Sequence, residues 1–209
     1  VAEVAAQAGF DWLVVDGEHG PNHLRSVRDH LRVIEGRASA VVRPRDDDRA
    51  FLKQLLDVGA QTILIPMVES GKQAREAVRS VLYPPAGVRG IGAALARASG
   101  YSSIPDYLTT ANDEICLLVQ VESRAGLDAL DDILATDGLD GVFIGPADLA
   151  ADLGHIGKPG APEVQAAVVD ALTRIRAAGK AAGILTSDRA LAQQYAEMGV
   201  EFLAIGSDT

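Results

Sequence analysis

The sequence predicts an α/β protein, and specifically a (β/α)8 barrel of the TIM type, on three observations. Short apolar segments alternate with amphipathic segments along the whole chain of 209 residues. The apolar segments are hydrophobic at consecutive positions, which is typical of parallel strands covered by helices on both faces. Seven such strands can be counted, the chain begins within a helical pattern, and it stops directly after its last strand. Because a barrel of this type closes with eight strands, we expect the chain to lack the first strand and the C-terminal helices. An open doubly wound sheet is the alternative.

The first part of the chain shows an opening helix followed by three strand–helix repeats. Apolar residues at helical spacing between Val1 and Gly9 predict a helix that ends at the glycine. The predicted strands of this part are Asp11–Asp16, Ser39–Arg43 and Thr62–Pro66. The predicted helices are Asn22–Glu35, Asp46–Val58 and Gly71–Leu82.

The stretch Tyr83–Asn112 interrupts this alternation because it is rich in Pro, Gly, Ser and Ala. It predicts a long loop with short helical pieces. The alternation then resumes, with a glycine-rich loop expected before Pro162. The predicted strands are Ile115–Val121, Gly141–Ile144, Ala181–Leu185 and Glu201–Ile205. The predicted helices are Ala125–Leu134, Pro162–Ala178 and Arg189–Met198. No linker or composition shift divides the chain, so we expect one domain over residues 1–209, a fragment of a slightly longer chain.

Composition and charge restrict the possible functions. The chain is 48% hydrophobic and 23% charged, which is ordinary for a globular protein and excludes the disordered and low-complexity classes. Its net charge of −10 argues against nucleic acid and against an anionic membrane as partners. The single cysteine, Cys116, cannot form an internal disulfide, and no apolar run approaches a membrane span. We therefore expect a soluble protein of the cytoplasm.

Two carboxylates stand where a parallel α/β fold places its ligands. Glu122 and Asp148 follow consecutive predicted strands, so their side chains are expected to converge at the carboxyl ends of those strands. Two carboxylates without neighbouring cysteine or histidine suit a hard divalent ion such as Mg²⁺ or Mn²⁺. The alternative interpretation is two solvated acids in loops.

A histidine and an arginine follow two other predicted strands. His19 lies in a tight turn with Asp16, which could hydrogen-bond the imidazole and raise its basicity, as a general base requires. Arg43 ends an otherwise apolar strand, where its guanidinium must meet an anion. That anion is either a substrate or a fixed carboxylate, Glu18 or Glu69.

Two other types of chemistry are not favoured by the sequence. None of the four lysines ends a predicted strand, so a Schiff-base mechanism is not expected, and carbonyl activation should come from a metal. The glycine-rich segment Gly87–Gly92 follows a helix rather than a strand, which argues against a dinucleotide-binding loop.

Four motifs together resemble the HpcH/HpaI aldolase family, in order and over essentially the whole chain. The motifs are Asp11–Asn22, Tyr83–Gly90, Val119–Glu122 and Val142–Leu149. Within the family, the sequence is most similar to the 4-hydroxy-2-oxoheptanedioate aldolases, which are pyruvate-dependent class II enzymes of aromatic-acid breakdown. The resemblance implies an enzyme that makes and cleaves 4-hydroxy-2-oxo acids from an aldehyde and the enolate of pyruvate or hydroxypyruvate. It further implies slow oxaloacetate decarboxylation, a divalent cofactor (Mg²⁺, Mn²⁺ or Co²⁺) and a hexamer.

The resemblance also assigns catalytic roles to residues of this sequence. It makes Glu122 and Asp148 the metal ligands and His19 the catalytic histidine, with Asp16 as its partner. Arg43 is expected to polarise the 2-oxo group and to stabilise the enolate.

Substrate-binding roles follow in the same way. Gln120 is expected beside Arg43 at the 2-oxo acid. The carboxylate of pyruvate is expected on backbone amides near Ala147 and Asp148, where a strand turns into a helix. Leu185 matches an apolar wall on the aldehyde side that sets specificity.

Two rival functions remain open at this point. A citrate-lyase-like enzyme that cleaves carbon–carbon bonds in CoA thioesters would share the fold and the carboxylates. It would need a basic groove for the CoA phosphates, whereas the Tyr83–Asn112 segment supplies only Arg89 and Arg97. A barrel retained only for binding should have lost at least one proposed catalytic or metal residue, and all are present.

Overall fold

The computed structural model describes residues 1–208; Thr209, the end of the predicted domain, lies outside the described residues. Strands and helices alternate along this part of the chain, and none of its helices has the length and apolar character needed to span a membrane. The strands are β1 (Trp12–Asp16), β2 (Ser39–Arg43), β3 (Thr62–Ile65), β4 (Cys116–Val121), β5 (Gly141–Ile144), β6 (Ala181–Leu185) and β7 (Phe202–Ala204). The helices are α1 (Ala2–Gln7), α2 (Leu24–Ile34), α3 (Arg49–Asp57), α4 (Gly71–Val81), α5 (Tyr107–Thr110), α6 (Arg124–Asp128), α7 (Leu130–Leu134), α8 (Pro146–Asp152), α9 (Pro162–Ala177) and α10 (Arg189–Glu197).

The predicted closed barrel of eight strands is wrong for the described residues, although the α/β class is right. The seven strands form one sheet in chain order, so β1 has only β2 as a hydrogen-bonded neighbour and β7 has only β6. A closed barrel has no such edges because its first and last strands pair with each other. The sheet of residues 1–208 is therefore open.

Two helical regions differ from the sequence prediction. Helix α8 occupies the start of a segment whose residue pattern predicts a loop, although the resemblance implies a helix start there. It begins with Gly145 as N-cap and Pro146 at the first helical position. Proline suits this position because its fixed φ is already helical and its missing N–H would have no partner there. The predicted helix Ala125–Leu134 is divided at Ala129 into α6 and α7. The predicted loop Tyr83–Asn112 does carry short helical pieces.

The contacts of the chain divide it into two compact units. The first unit comprises Val1–Pro66 and Glu76–Leu117, and its strands β1, β2 and β3 run parallel. The register pairs Asp16 with Arg43 at the carboxyl ends of β1 and β2. The core of this unit includes the buried residues Val27, Leu31, Val42, Leu52, Leu55 and Ile63.

The second unit comprises Met67–Arg75 and the chain from Leu118 onward. Within it, β4, β5, β6 and β7 run parallel, and Gln120 lies opposite Phe143 in the register of β4 and β5. Its core includes the buried residues Val119, Val142, Ile144, Leu149, Val168 and Ile184. The predicted metal ligands Glu122 and Asp148 follow β4 and β5 in the chain.

Candidate active site

In the first unit, Arg43 binds two carboxylates, one at the end of β1 (Asp16) and one just after it (Glu18). Its Nε and Nη2 atoms donate to the two oxygens of Asp16 at 2.9 and 2.7 Å, which is a two-point ion pair. Its Nη1 atom lies 2.9 Å from Oε2 of Glu18. The arginine side chain is only 19% exposed, so this guanidinium is held in one orientation by partly buried charges. Glu18 is thus one of the two fixed carboxylates that the sequence offers as partners for Arg43, and the structure places it in contact with the guanidinium.

The carboxylate of Asp16 is ionised in this arrangement. Partial burial raises its pKa, but hydrogen bonds from Arg43 and from the backbone N–H groups of Glu18 and His19 outweigh burial and hold the pKa below its ordinary value. The two backbone bonds measure 3.0 and 3.4 Å. Asp16 therefore fixes both Arg43 and the turn that carries His19.

The hydrogen bond expected between Asp16 and the ring of His19 is not formed; the aspartate oxygens accept from Arg43 and from the backbone of the turn instead. The imidazole is 69% exposed instead, and its Nε2 lies 3.8 Å from Oε2 of Glu18. The carboxylate nearest to this ring is thus Glu18.

In the second unit, Glu122 is a buried carboxylate with both oxygens oriented. The residue is 3% exposed. Its Oε1 accepts the backbone N–H of Met67 at 3.0 Å, and its Oε2 accepts the side-chain amide of Gln120 at 2.5 Å. A Cβ atom at Gly145 would lie 2.3 Å from Oε2 of Glu122, so the close approach of this carboxylate requires glycine there.

Glu122 packs against the start of the helix that carries Asp148. Gly145, against which Glu122 packs, is the N-cap of α8, and Asp148 lies in the first turn of that helix. Asp148 is exposed, and no side chain caps this turn. In residues 1–208 no three His, Cys, Asp or Glu side chains form a metal-binding group. Glu122 and Asp148 are the carboxylates that could hold a divalent ion in this unit, and oxygens of water or substrate would complete the coordination that Mg²⁺ or Mn²⁺ prefers.

The remaining predicted site residues also lie in the second unit. Gln120 is 3% exposed, and its side-chain amide donates a hydrogen bond to Glu122. Ala147 is exposed in the first turn of α8, and Leu185 is 43% exposed at the end of β6. The substrate-binding roles of these residues stay predictions.

One functional contact was not predicted from the sequence, namely the backbone of Met67 on Glu122. Met67 has a φ of +54°, and the side chain of Gln73 binds the turn on both sides of Val68. The spacing of Ser70 and Gln73 matches a capping box, which was the available signal for an anchored turn at the start of α4.

Known proteins match this chain over its full length. A family model described as HpcH/HpaI aldolase/citrate lyase matches residues 1–209. A hydroxypyruvate/pyruvate aldolase of Roseovarius nubinhibens is 59% identical over 207 residues, covering 99% of this chain and 80% of that protein. A 4-hydroxy-2-oxo-heptane-1,7-dioate aldolase of Salmonella dublin is 57% identical over 209 residues, covering 100% of this chain and 80% of that protein. The crystal structure of an HpcH/HpaI aldolase/citrate lyase family protein from Burkholderia cenocepacia is similar with a TM-score of 0.95 and 41% identity, covering 99% of this chain and 83% of that chain. The chain therefore belongs to the HpcH/HpaI aldolase/citrate lyase family, as its four motifs predicted.

Proposed function

We propose that this chain is a divalent-metal-dependent class II aldolase that makes and cleaves 4-hydroxy-2-oxo acids. The aldolase activity, a carbon–carbon lyase reaction, follows from relatives named as aldolases that are 57–59% identical over essentially the whole chain. The metal dependence and the choice of pyruvate or hydroxypyruvate as donor are the proposed part. The observation that carries the metal dependence is the buried carboxylate of Glu122, which is oriented on both oxygens.

Glu122 and Asp148 are the residues that would hold the ion. Bound Mg²⁺, Mn²⁺ or Co²⁺ would supply Lewis-acid stabilisation of negative charge on the 2-oxo acid. The uncapped N–H groups of Ala147 and Asp148 in the first turn of α8 suit the carboxylate of that acid. Gln120 orients Glu122 and so contributes indirectly.

Arg43 and His19 supply the remaining chemistry. In cleavage, Nε2 of His19 accepts the proton of the 4-hydroxyl group, the C3–C4 bond breaks, and an aldehyde and the enolate of the 2-oxo acid form. The guanidinium of Arg43 stabilises the oxygen that becomes negative in this step. Oε2 of Glu18 lies 3.8 Å from Nε2 of His19 and borders the imidazole that accepts this proton. A proton returned to C3 of the enolate completes the product, and synthesis is the same path reversed.

A lysine-based mechanism has no residue to serve it among those that the structure describes. Lys53 and Lys72 lie on α3 and α4, and Lys158 lies in the loop before α9. Lys180 precedes β6, and its Nζ donates to the carbonyl of Leu139 at 2.6 Å. None of these amines stands at the carboxyl end of a strand, where a Schiff-base lysine of this fold would act.

We therefore expect borohydride to leave the enzyme active in the presence of pyruvate. The assay is cleavage of a 4-hydroxy-2-oxo acid, followed through released pyruvate, together with the intact mass of the treated protein. The expected result is undiminished cleavage and an unchanged mass. A reduced pyruvate adduct on a lysine, accompanied by loss of activity, would overturn the class II assignment.

A further inference from the structure

The turn that precedes α4 has an unusual backbone at Met67. This residue has a φ of +54°, in the left-handed region that residues with a side chain rarely adopt. In this conformation its backbone N–H donates to Oε1 of Glu122 at 3.0 Å. The orientation of a buried carboxylate therefore depends on a backbone conformation that Met67 does not favour by itself.

The side chain of Gln73 holds this turn from two directions. Its Oε1 accepts the N–H of Glu69 at 3.0 Å, and its Nε2 donates to the carbonyl of Met67 at 3.4 Å. The backbone of Gln73 is itself fixed, because its N–H donates to the hydroxyl of Ser70 at 3.2 Å. One amide side chain thus connects α4 to both peptides that flank Val68.

The turn is also attached to the chain on either side of Glu122. The N–H of Val68 donates to the carbonyl of Gln120 at 3.0 Å. The hydroxyl of Ser123 donates to Oε1 of Glu69 at 2.7 Å. Because the turn is fixed relative to β4 in this way, its conformation determines where the N–H of Met67 points.

We propose that Gln73 is a positioning residue for Glu122. It stabilises the left-handed conformation of Met67 and thereby keeps the carboxylate of Glu122 in the orientation that binds a divalent ion. The proposal rests on the metal site of the proposed function. Gln73 would contact neither the ion nor the substrate and would act through the backbone of Met67.

The first test is the affinity of Gln73→Ala for Mn²⁺, measured by electron paramagnetic resonance of free Mn²⁺. Loss of a hydrogen bond in the outer shell of a metal site weakens binding by about 10–100-fold, and we expect at least the lower value. The visible absorption of the Co²⁺-loaded variant should also change, because the geometry of the ligand changes. Gln193→Ala is the matched control: it removes one hydrogen bond to Glu197 on the exposed side of α10 and should leave both readouts unchanged.

The second test is rescue by glycine. If Gln73 serves to hold Met67 in the left-handed region, a glycine at position 67 needs no such support, because glycine adopts that region freely. Met67→Gly combined with Gln73→Ala should therefore recover Mn²⁺ affinity to within about threefold of the starting protein. Gln73→Asn, one methylene shorter, is a second variant that should fail like alanine and be rescued in the same way.

The outcomes separate this inference from the proposed function. Weakened affinity that glycine rescues supports the inference. Native affinity in Gln73→Ala, or weakened affinity that glycine does not restore, overturns the inference about Gln73. If Glu122→Gln no longer binds Mn²⁺ in the same experiment, the proposed metal site still stands. Native affinity in Glu122→Gln would remove the metal site and the inference together.

Discussion

Replacing Glu122 by glutamine should weaken Mn²⁺ binding by more than about 100-fold, since changes in outer-shell partners alone cost 10–100-fold. The glutamine keeps the size of the side chain but carries no charge. It also presents an amide where Gln120 now donates to a carboxylate oxygen. Titration of Mn²⁺ into chelator-treated protein measures the effect directly, and aldol cleavage at a fixed Mn²⁺ concentration should fall in parallel.

Two further variants make this result specific. Asp148→Asn changes an exposed side chain, so it tests the second ligand with little risk to folding, and its affinity should also fall strongly. Glu163→Gln removes a carboxylate whose side chain is 81% exposed and should bind Mn²⁺ as the unchanged protein does. Native affinity in either ligand variant would show that the metal site has been assigned to the wrong residues.

Arg43→Ala should slow every reaction that passes through the enolate. These reactions are aldol cleavage, oxaloacetate decarboxylation and exchange of the methyl protons of pyruvate. Removing one preorganised donor from a developing oxyanion costs about 10²–10³-fold in rate. Arg43→Lys should not restore activity, because an ammonium cannot reproduce the two-point contact with Asp16.

The matching variant His19→Ala should affect these reactions unequally. Loss of a general base slows aldol cleavage by about 10²–10⁴-fold. Oxaloacetate forms its enolate by losing CO₂, so its decarboxylation needs no base and should be largely spared. The three assays on the two variants therefore give different patterns. Equal loss of cleavage and decarboxylation in His19→Ala would mean that this histidine supports binding instead of moving a proton.

Most of the strands and helices could be predicted from the sequence because their patterns are local. The bounds of β2, β5 and β6 match the prediction, since each is an apolar run limited by polar or glycine residues. The helices α2 and α3 begin later than predicted because the residues before them act as caps. His23 and Asp48 accept hydrogen bonds from the first turns of these helices and have non-helical backbones.

Other features of the fold depend on information that is not local. Whether a sheet closes is decided by the pairing of its first and last strands, and a count of strands cannot show it. The break between α6 and α7 falls at Ala129, a strong helix former that gives no signal of an interruption. The residue pattern alone does not predict helix α8, because the glycines that follow make the segment resemble a loop; only the family resemblance indicates a helix start near Ala147 and Asp148.

The candidate site likewise has features that local sequence patterns predict and features that depend on contacts between distant parts of the chain. The sequence places Asp16, Arg43 and Glu122 at the ends of strands, because each follows an apolar run. It does not show that Asp16 pairs with Arg43 instead of His19, since that choice depends on the register of β1 and β2. A left-handed backbone at a methionine has no sequence signature, so the spacing of Ser70 and Gln73 can indicate an anchored turn but not the contact of Met67 with Glu122. The hexamer and the role in aromatic-acid breakdown stay predictions.

We expect the enolate to form only with a divalent ion held by this chain. The most direct measurement is exchange of pyruvate methyl protons in D₂O, with deuterium in the recovered pyruvate counted by mass spectrometry. Chelator-treated protein should exchange no faster than buffer, and added Mg²⁺ or Mn²⁺ should restore exchange in the unchanged protein but not in Glu122→Gln. Exchange that continues at an undiminished rate after complete removal of the metal would show that enolate formation does not depend on a divalent ion.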